Sequence, residues 1–325
     1  MVHTVGVDIG GTKIAVGVVS SEGELLAQMR RATPSRDPGA VVSEIAEMVA
    51  EYTERYPIAA VGVGVAGLVD GGHSQVTFAP NLRWSRVPLR QLLQEATGLP
   101  ADVENDANAA AWAEYRFGAG VGTSDMIMVT VGTGVGGGVI VHGSLRRGAG
   151  GMAGEFGHLN VVVDGRSCAC GRNGCWEQYA SGNALVRTAR DLASEQRSEA
   201  GVLLSLGDGT PEGVEGLHVT EAAQRGDRVA LRAFDRVGTW LGRGLADLAA
   251  LYDPEVFVIG GGVAESGDLL MRPIRETFDK ELVGREHRSP IPVIAAQLGN
   301  PAGIVGAADL ARVTMSENEG QGANT

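Results

Sequence analysis

Cysteine is scarce. Three residues in 325, Cys168, Cys170 and Cys175, all fall within the stretch GEFGHLNVVVDGRSCACGRNGCWEQYASG, which begins at Gly154. Three thiols cannot all pair within one chain, and a reducing compartment disfavours disulfides in any case, so the cluster calls for another explanation. Long apolar runs are missing too. The longest, around Ala59–Val69, is too short and too rich in glycine to span a bilayer. The start of the chain, HTVGVDIGG, has no basic segment followed by an apolar run, so no signal peptide is expected. The chain reads as soluble and cytoplasmic, with no membrane partner. Positive charge is in deficit: 27 Lys and Arg stand against 39 Asp and Glu, a net charge of −12. That argues against a nucleic-acid partner, which calls for a basic footprint. It does not exclude a nucleotide, because a lysine, backbone N–H groups and a bound metal can hold a phosphate chain inside an acidic protein.

Glycine, by contrast, is abundant, at 49 residues, and 44% of the chain is hydrophobic, enough for sizeable cores. The length suits about two domains. The glycines cluster in a repeated form. TVGVDIGGTKIAVGVV, from Thr4 to Val19, places β-branched residues on either side of a Gly-Gly turn and reads as two strands in a tight hairpin. MIMVTVGTGVGGGVIV, from Met126 to Val141, has the same form, and VFVIGGGV, from Val256 to Val263, is a buried strand running into a glycine turn. Between them, Val41–Glu54 and the alanine-rich Ala107–Phe117 read as helices, and Thr220–Tyr252 as one or two helices interrupted near Gly226 and Asp227. Pro301 opens a last helix through about Ala311, while the segment Glu195–Glu215 reads as loop-rich. The recurring strand–turn–strand unit suggests two related α/β lobes.

Two familiar phosphate motifs can be set aside. DIGGTK is not a Walker A loop, because Thr12 precedes Lys13 and a strand follows. GTGVGG, from Gly132 to Gly137, matches the dinucleotide spacing but runs into VIVHG rather than a helix. What remains is a pair of hairpin turns whose N–H groups can line an anion-binding concavity, where glycine lets backbone approach phosphate oxygens. Asp8, at the end of the first strand, reads either as a turn cap or as a carboxylate holding Mg²⁺ directly or through water.

DIGGTK, VGTGVGGG and FVIGGGV together resemble the first phosphate turn, second phosphate turn and adenosine turn of the ROK family (repressor, open reading frame, kinase). The resemblance covers Val5 to about Val313. It implies the two-lobed actin/hexokinase/Hsp70-like (ribonuclease-H-like) α/β fold, with a cleft between the lobes. One lobe is expected at residues 1–108 plus 301–316, the other at 109–300, and a disordered tail at 317–325. It also implies ATP as cofactor with Mg²⁺, held at Asp8, Gly10, Gly11, Thr12 and Lys13, at Gly132, Thr133 and Gly134, and, for the adenosine, at Gly260, Gly261 and Gly262.

Read as a metal site, the cysteine stretch is His-x9-Cys-x-Cys-x4-Cys, from His158 through Cys168 and Cys170 to Cys175. Three thiolates and one imidazole make a closed tetrahedral zinc set with no open position for water, which points to a structural metal rather than a zinc hydrolase. Joined to CACGRNGCWE, the stretch resembles the family signature, and the resemblance implies that Glu155, His158 and Glu177 bind a sugar. On spacing alone these three read as surface glutamates and a capping histidine. In ADVENDANAAAWAEY, Asn105 and Asp106 read on spacing alone as helix N-caps. In the family the aspartate of END is the catalytic base and the asparagine binds sugar. Gly67, in GVAGLVD, reads as a turn glycine, and the resemblance sets that segment against the sugar too.

The implied activity is ATP-dependent phosphorylation of D-glucose at its 6-hydroxyl, giving glucose 6-phosphate and ADP. CWEQYASG is more similar to the glucose-specific branch than to kinases of N-acetylglucosamine, N-acetylmannosamine, mannose or fructose. The family's repressors carry a DNA-binding module ahead of the first phosphate turn, where this sequence has seven residues before Asp8. Polyphosphate-dependent members usually have a longer first turn. A homodimer or homotetramer is expected from the family.

Overall fold

The computed structural model describes residues 2–34 and 36–322, with backbone alone for 318–322. The chain divides into two compact units. The first comprises Met1–Met126, Gly138–Gly154 and Ala296–Thr325, and the second Ile127–Gly137 and Glu155–Ala295.

In chain order the elements begin with strands β1 (His3–Ile9), β2 (Lys13–Val19) and β3 (Leu25–Ala32), helix α1 (Pro38–Thr53) and strand β4 (Ile58–Val65). Short strands β5 (Leu68–Val69), β6 (Val76–Ala79) and β7 (Trp84–Val87) follow, then helix α2 (Leu89–Thr97), strand β8 (Ala101–Asn105) and helix α3 (Asp106–Phe117). Next come β9 (Met126–Val131), β10 (Val135–Val141) and β11 (Ser144–Leu145), and then helices α4 (Glu177–Ala180), α5 (Gly182–Glu195), α6 (Gly201–Leu206), α7 (Gly216–Gln224) and α8 (Arg228–Tyr252). Strand β12 (Val256–Gly260), helix α9 (Asp268–Glu281), strand β13 (Val293–Ala295) and helix α10 (Ala302–Gly322) complete the chain.

The first sheet runs β3-β2-β1-β4-β8, with β1 and β2 forming the expected antiparallel hairpin and β1, β4 and β8 parallel. Its period-two alternation is between large and small residues. Val5, Val7, Ile9, Ile14, Val16, Val18, Val61, Val63 and Val65 face a core with Ile45, Met48 and Val49 of α1 and Leu89 and Leu93 of α2. The opposite face is paved with Gly6, Gly17, Gly62 and Gly64, and α10 lies on it. A Cβ added at Gly6 would fall 1.9 Å from the Ile304 carbonyl oxygen, and one at Gly62 1.8 Å from that of Ala307. Helix backbone therefore rests on sheet backbone with no room for a methyl group between them. Ala113 of α3 joins Ile304, Val305 and Ala308 in closing that side.

The second sheet runs β11-β10-β9-β12-β13. Taken in its own chain order, each five-stranded sheet reads third, second, first, fourth, fifth, which is the internal repeat that the two glycine hairpins suggested. Local signals set the helix starts. Asp37 caps α1, accepting from Ala40 N–H at 2.9 Å, with Pro38 in the first turn. Asp227 caps α8, and Gly226, at φ +83°, separates it from α7.

Some boundaries differ from expectation. The division of the chain does not fall after Asn108: α3 belongs to the first unit because it packs against α10 and the glycine face, and residues 138–154 join it. The segment Glu195–Glu215 contains α6, whose Leu203 and Leu204 are buried, where few strong helix signals stand in the sequence. The last helix continues from Ala302 to Gly322 rather than stopping near Ala311, so the expected tail begins inside it, and residues 323–325 lie outside those described.

Gly62→Ala should lower stability by about 1–3 kcal/mol, the usual cost of an overpacked core methyl. Gly64→Ala, on the same strand face but with its nearest neighbours at 3.7 Å, should be close to neutral. Urea unfolding of both variants checks the pair.

Candidate functional site

In the first unit the polar groups gather where β1, β4 and β8 end. These strands are parallel, so their carboxyl ends share one edge, the edge at which α/β sheets bind ligands. Register sets Asp8, Gly64 and Glu104 in one row. After β1, the exposed turn of Gly11 and Thr12 leads into Lys13. Gly10 N–H donates to the Lys13 carbonyl at 3.0 Å, the Thr33 hydroxyl donates to the Gly10 carbonyl at 2.8 Å, and Thr33 N–H donates to the Thr12 carbonyl at 3.0 Å. The turn is thus clamped by Thr33, just past the end of β3, while Gly11, Thr12 and Lys13 stay exposed. Burial pushes the Asp8 carboxyl up, against the pull of Lys13 and Arg30. The first turn of α10 comes close, a Cβ on Gly303 falling 4.0 Å from Asp8 Cγ.

After β4, Gly67 has no space for a side chain, because a Cβ would fall 2.6 Å from the Phe78 carbonyl oxygen. Its own carbonyl accepts from Asn105 Nδ2 at 3.1 Å. After β8, Asn105 is the N-cap of α3: its Oδ1 accepts from Ala107 N–H at 2.9 Å and Asn108 N–H at 3.0 Å. Asp106 opens the helix and also accepts from Ala107 N–H, at 2.9 Å. Gly67, Asn105 and Asp106 are thus brought together, and capping falls chiefly to the asparagine.

In the second unit the turns Gly132–Gly134 and Gly260–Gly262 meet. Val263 N–H donates to the Val131 carbonyl at 3.0 Å, and Gly182 N–H, opening α5, donates to the Gly132 carbonyl at 2.8 Å. Gly261, at φ +87°, lets the chain turn directly against Val131, where a Cβ would fall 2.5 Å from the carbonyl oxygen. Gly134 faces Glu177, whose Oε2 would lie 2.6 Å from an added Cβ.

The same unit holds the cysteine centre. His158, Cys168, Cys170 and Cys175 bring one ligand atom each to within 4.8 Å of one another, the one such group of His, Cys, Asp or Glu found among the described residues. Cys170 and Cys175 have their sulfurs 3.6 Å apart, and Cys168 Sγ lies 3.7 Å from His158 Nδ1. Bonds of 2.0–2.3 Å to a tetrahedral zinc give ligand-to-ligand edges of about 3.5–3.8 Å, so the donor set fits that ion. Nδ1 faces the Cys168 sulfur, which leaves Nε2 turned toward Glu155, 3.9 Å from its Oε2. Glu177 flanks the ring on the other side, 3.9 Å from Nδ1, and accepts from Cys168 Sγ at 3.0 Å. Burial pushes the Cys168 thiol up to about 12, and the bond to Glu177 acts in the same direction. Burial also raises the Glu155 carboxyl; His158 opposes this and Glu177 adds to it.

Backbone pairing holds this stretch in place of helix or strand. Bridges join Asn160 to Cys175 and Ser167 to Asn173, and Trp176 N–H donates to the Leu159 carbonyl at 2.8 Å. The Trp176 indole is fully buried, donates to the Trp240 carbonyl at 2.8 Å, and lies where a Cβ on Gly244 would fall 2.1 Å from its ring.

Sequence reasoning missed Glu104 and Arg147. Glu104, buried, accepts from Arg147 Nε at 2.5 Å, from Asn105 N–H at 2.9 Å and from Asn108 Nδ2 at 3.0 Å. Glu104 was in view inside END, but no spacing rule links it to an arginine 43 residues away.

The model of the ROK family matches residues 4–314. The chain belongs to the ROK family. It is 53% identical over 309 residues to the glucokinase of Streptomyces coelicolor, covering 95% of this chain and 97% of that one. It is 37% identical over 308 residues to the glucokinase of Thermotoga maritima, covering 94% and 96%. Among solved structures, a ROK family glucokinase from Streptomyces griseus in complex with glucose and AMPPNP superposes with a TM-score of 0.87 at 54% identity, covering 95% of this chain and 99% of that one. The fold is the actin/hexokinase-like α/β fold of the ROK kinases. Among the described residues no helix is long and apolar enough to cross a membrane.

The raised Asp8 carboxyl carries a pH signature. A folded-state value above the unfolded one means that the native chain binds the proton more tightly, so stability declines as pH rises through the folded value. Asp8→Asn removes that penalty. Its melting temperature should exceed that of the parent at neutral pH, and the gap should close as pH falls toward about 4, the ordinary aspartate range. Calorimetry across pH reads the difference.

Proposed function

We propose that this ROK protein is an ATP-dependent glucokinase, transferring the γ-phosphoryl group of ATP to the 6-hydroxyl of D-glucose. The observation that carries this reading is the near full-length, 54% identical match to a glucokinase held with glucose and AMPPNP. The donor groups described above suit the two substrates. Asn105, Glu155, His158, Glu177 and the Gly67 segment are the proposed sugar ligands. The turns at Gly10–Lys13 and Gly132–Gly134 offer N–H groups and one lysine to phosphates, and Gly260–Gly262 is the proposed adenosine turn. Asp8 is the proposed carboxylate for Mg²⁺, which would neutralise phosphate charge.

Asp106 is the proposed base. Asn105 already accepts both N–H groups that open α3, and Asp106 only shares the one from Ala107, so the cap does not require the carboxylate. In the proposed step Asp106 takes the 6-hydroxyl proton as that oxygen bonds to the γ-phosphorus and the bond to the β-phosphate oxygen breaks, releasing ADP. Such transfers pass through a loose transition state, so positioning and charge neutralisation supply most of the acceleration.

His158, Cys168, Cys170 and Cys175 are the proposed ligands of one structural zinc. It would hold the 158–177 segment and, by engaging Nδ1, fix the imidazole with its Nε2–H directed away from the metal, as metal-bound histidines do toward an outer partner. We take the enzyme to be a cytoplasmic homodimer or homotetramer. A need for ATP agrees with that compartment.

A sugar panel in a coupled ADP-release assay tests the function. Glucose is expected to give the highest kcat/KM, and a clear preference for another sugar would overturn the assignment. Asp106→Asn, which keeps shape and polarity, should lose roughly 10²–10⁴-fold in turnover with melting temperature and glucose affinity little changed. Near-parental turnover would return Asp106 to a structural role.

Protein purified without added metal should contain one zinc per chain by elemental analysis, and active enzyme free of zinc would exclude the metal assignment. Cys170→Ser should lose the metal and raise the glucose KM far more than it lowers stability, because the centre orders one segment of a large unit rather than a whole small module.

A further inference from the structure

Glu104 stands in the same register row as Asp8, with only Gly64 between them. It is a buried carboxylate at the end of β8, directly ahead of the turn that carries Asn105 and Asp106. Its Oε1 binds on both sides of Asp106, accepting from the Asn105 backbone N–H before it and from the Asn108 side chain two residues after it. Its Oε2 accepts from Arg147 Nε at 2.5 Å. The arginine is held in turn: its carbonyl accepts from Ala153 N–H at 2.9 Å, and the loop so closed presses on β5, a Cβ at Gly151 falling 2.2 Å from the Val69 carbonyl oxygen.

A buried carboxylate without a partner is strongly unfavourable and would pull in water or protonate. Arg147 supplies that partner at Oε2, which leaves Oε1 to hold the Asn105 N–H and the Asn108 side chain. We propose that the buried Glu104–Arg147 pair is the positioning device for Asp106, setting the direction of its carboxylate without touching substrate. This rests on the reading of Asp106 as the base.

The function of such a device is alignment. Displacement of a reacting group by about 1 Å costs on the order of 10²-fold in rate, whereas glucose would still be held by its other ligands. The test compares the parent, Arg147→Lys, Arg147→Met and Asp106→Asn by steady-state kinetics with glucose and ATP. Glucose titration calorimetry on the same samples reports how many chains are folded and bind sugar. Arg147→Met should lose on the order of 10²-fold in kcat while glucose KM and the stoichiometry of binding hold. Arg147→Lys, which keeps the charge but not the planar guanidinium, should fall between it and the parent.

A merely structural role would instead lower kcat in proportion to the lost binding stoichiometry. That result, or parental kcat in both arginine variants, overturns the proposal. If Arg147→Met does not fold, Arg147→Lys decides alone: reduced kcat at full stoichiometry supports the device, and parental kcat refutes it. Asp106→Asn separates the two readings. Inactive Asp106→Asn beside parental arginine variants sinks only the positioning role, while active Asp106→Asn removes the base and this inference together.

Discussion

The contact on which the first unit depends is backbone against backbone: helix α10 lying on a sheet face from which side chains have been removed. With glycine at Gly6 and Gly62 the helix axis approaches closer than any side chain would allow, and the contact is made by dispersion between main-chain atoms. Glu114, completely buried in α3, holds the segment that leads into that helix, since its carboxylate accepts from the N–H groups of Ala119, Gln297 and Leu298 at 2.7–3.1 Å. Among the described residues no ion pair reaches this carboxylate; three main-chain N–H groups, that of Gln297 shared between the two oxygens, satisfy it instead.

That close approach also organises the site. The face kept bare for α10 carries Asp8 and Glu104 at its end, and the two acids meet different conditions. Asp8 lies beside the exposed Lys13 turn and is partly accessible, as its proposed role toward Mg²⁺ requires. Glu104 is sealed and paired, and its bonds go to backbone and side chains of the α3 start. Two carboxylates in one row of one sheet can therefore serve different ends, because burial and partners, not residue type, decide what a carboxylate does.

The second unit solves a different problem. The stretch from His158 to Trp176 has little regular structure, and ordering it costs conformational entropy that few apolar contacts offset. Two isolated bridges, the buried Trp176 under α8 and four clustered metal-type ligands do what a helix or sheet does elsewhere. The result is a histidine whose ring stands between two acids, Glu155 and Glu177, at matched distances of 3.9 Å. In water two exposed acids and an imidazole would be mobile; here the backbone beneath them is fixed.

What the amino-acid order determined alone was whatever rests on local chemistry. The β1–β2 hairpin, the glycine turns, the start of α3 at Asn105, the break at Gly226 and the His-Cys-Cys-Cys spacing were all legible, because turns, caps and closely spaced ligands are set by residues within a few positions of each other. The repeat was legible as two hairpins, though not as two sheets with one strand order. Tertiary structure alone decided the rest. The Glu104–Arg147 pair joins positions 43 apart, and the membership of α3 in the first unit rests on a helix that begins at Ala302. Which nitrogen of His158 faces the Cys168 sulfur depends on how the 158–176 loop closes. The glycines of β1 and β4 read in sequence as flexible or turn-forming, and only the packed helix reveals them as the floor on which α10 lies. Each of these depends on distance in space between residues far apart in the chain, and pattern along a sequence carries no measure of that distance.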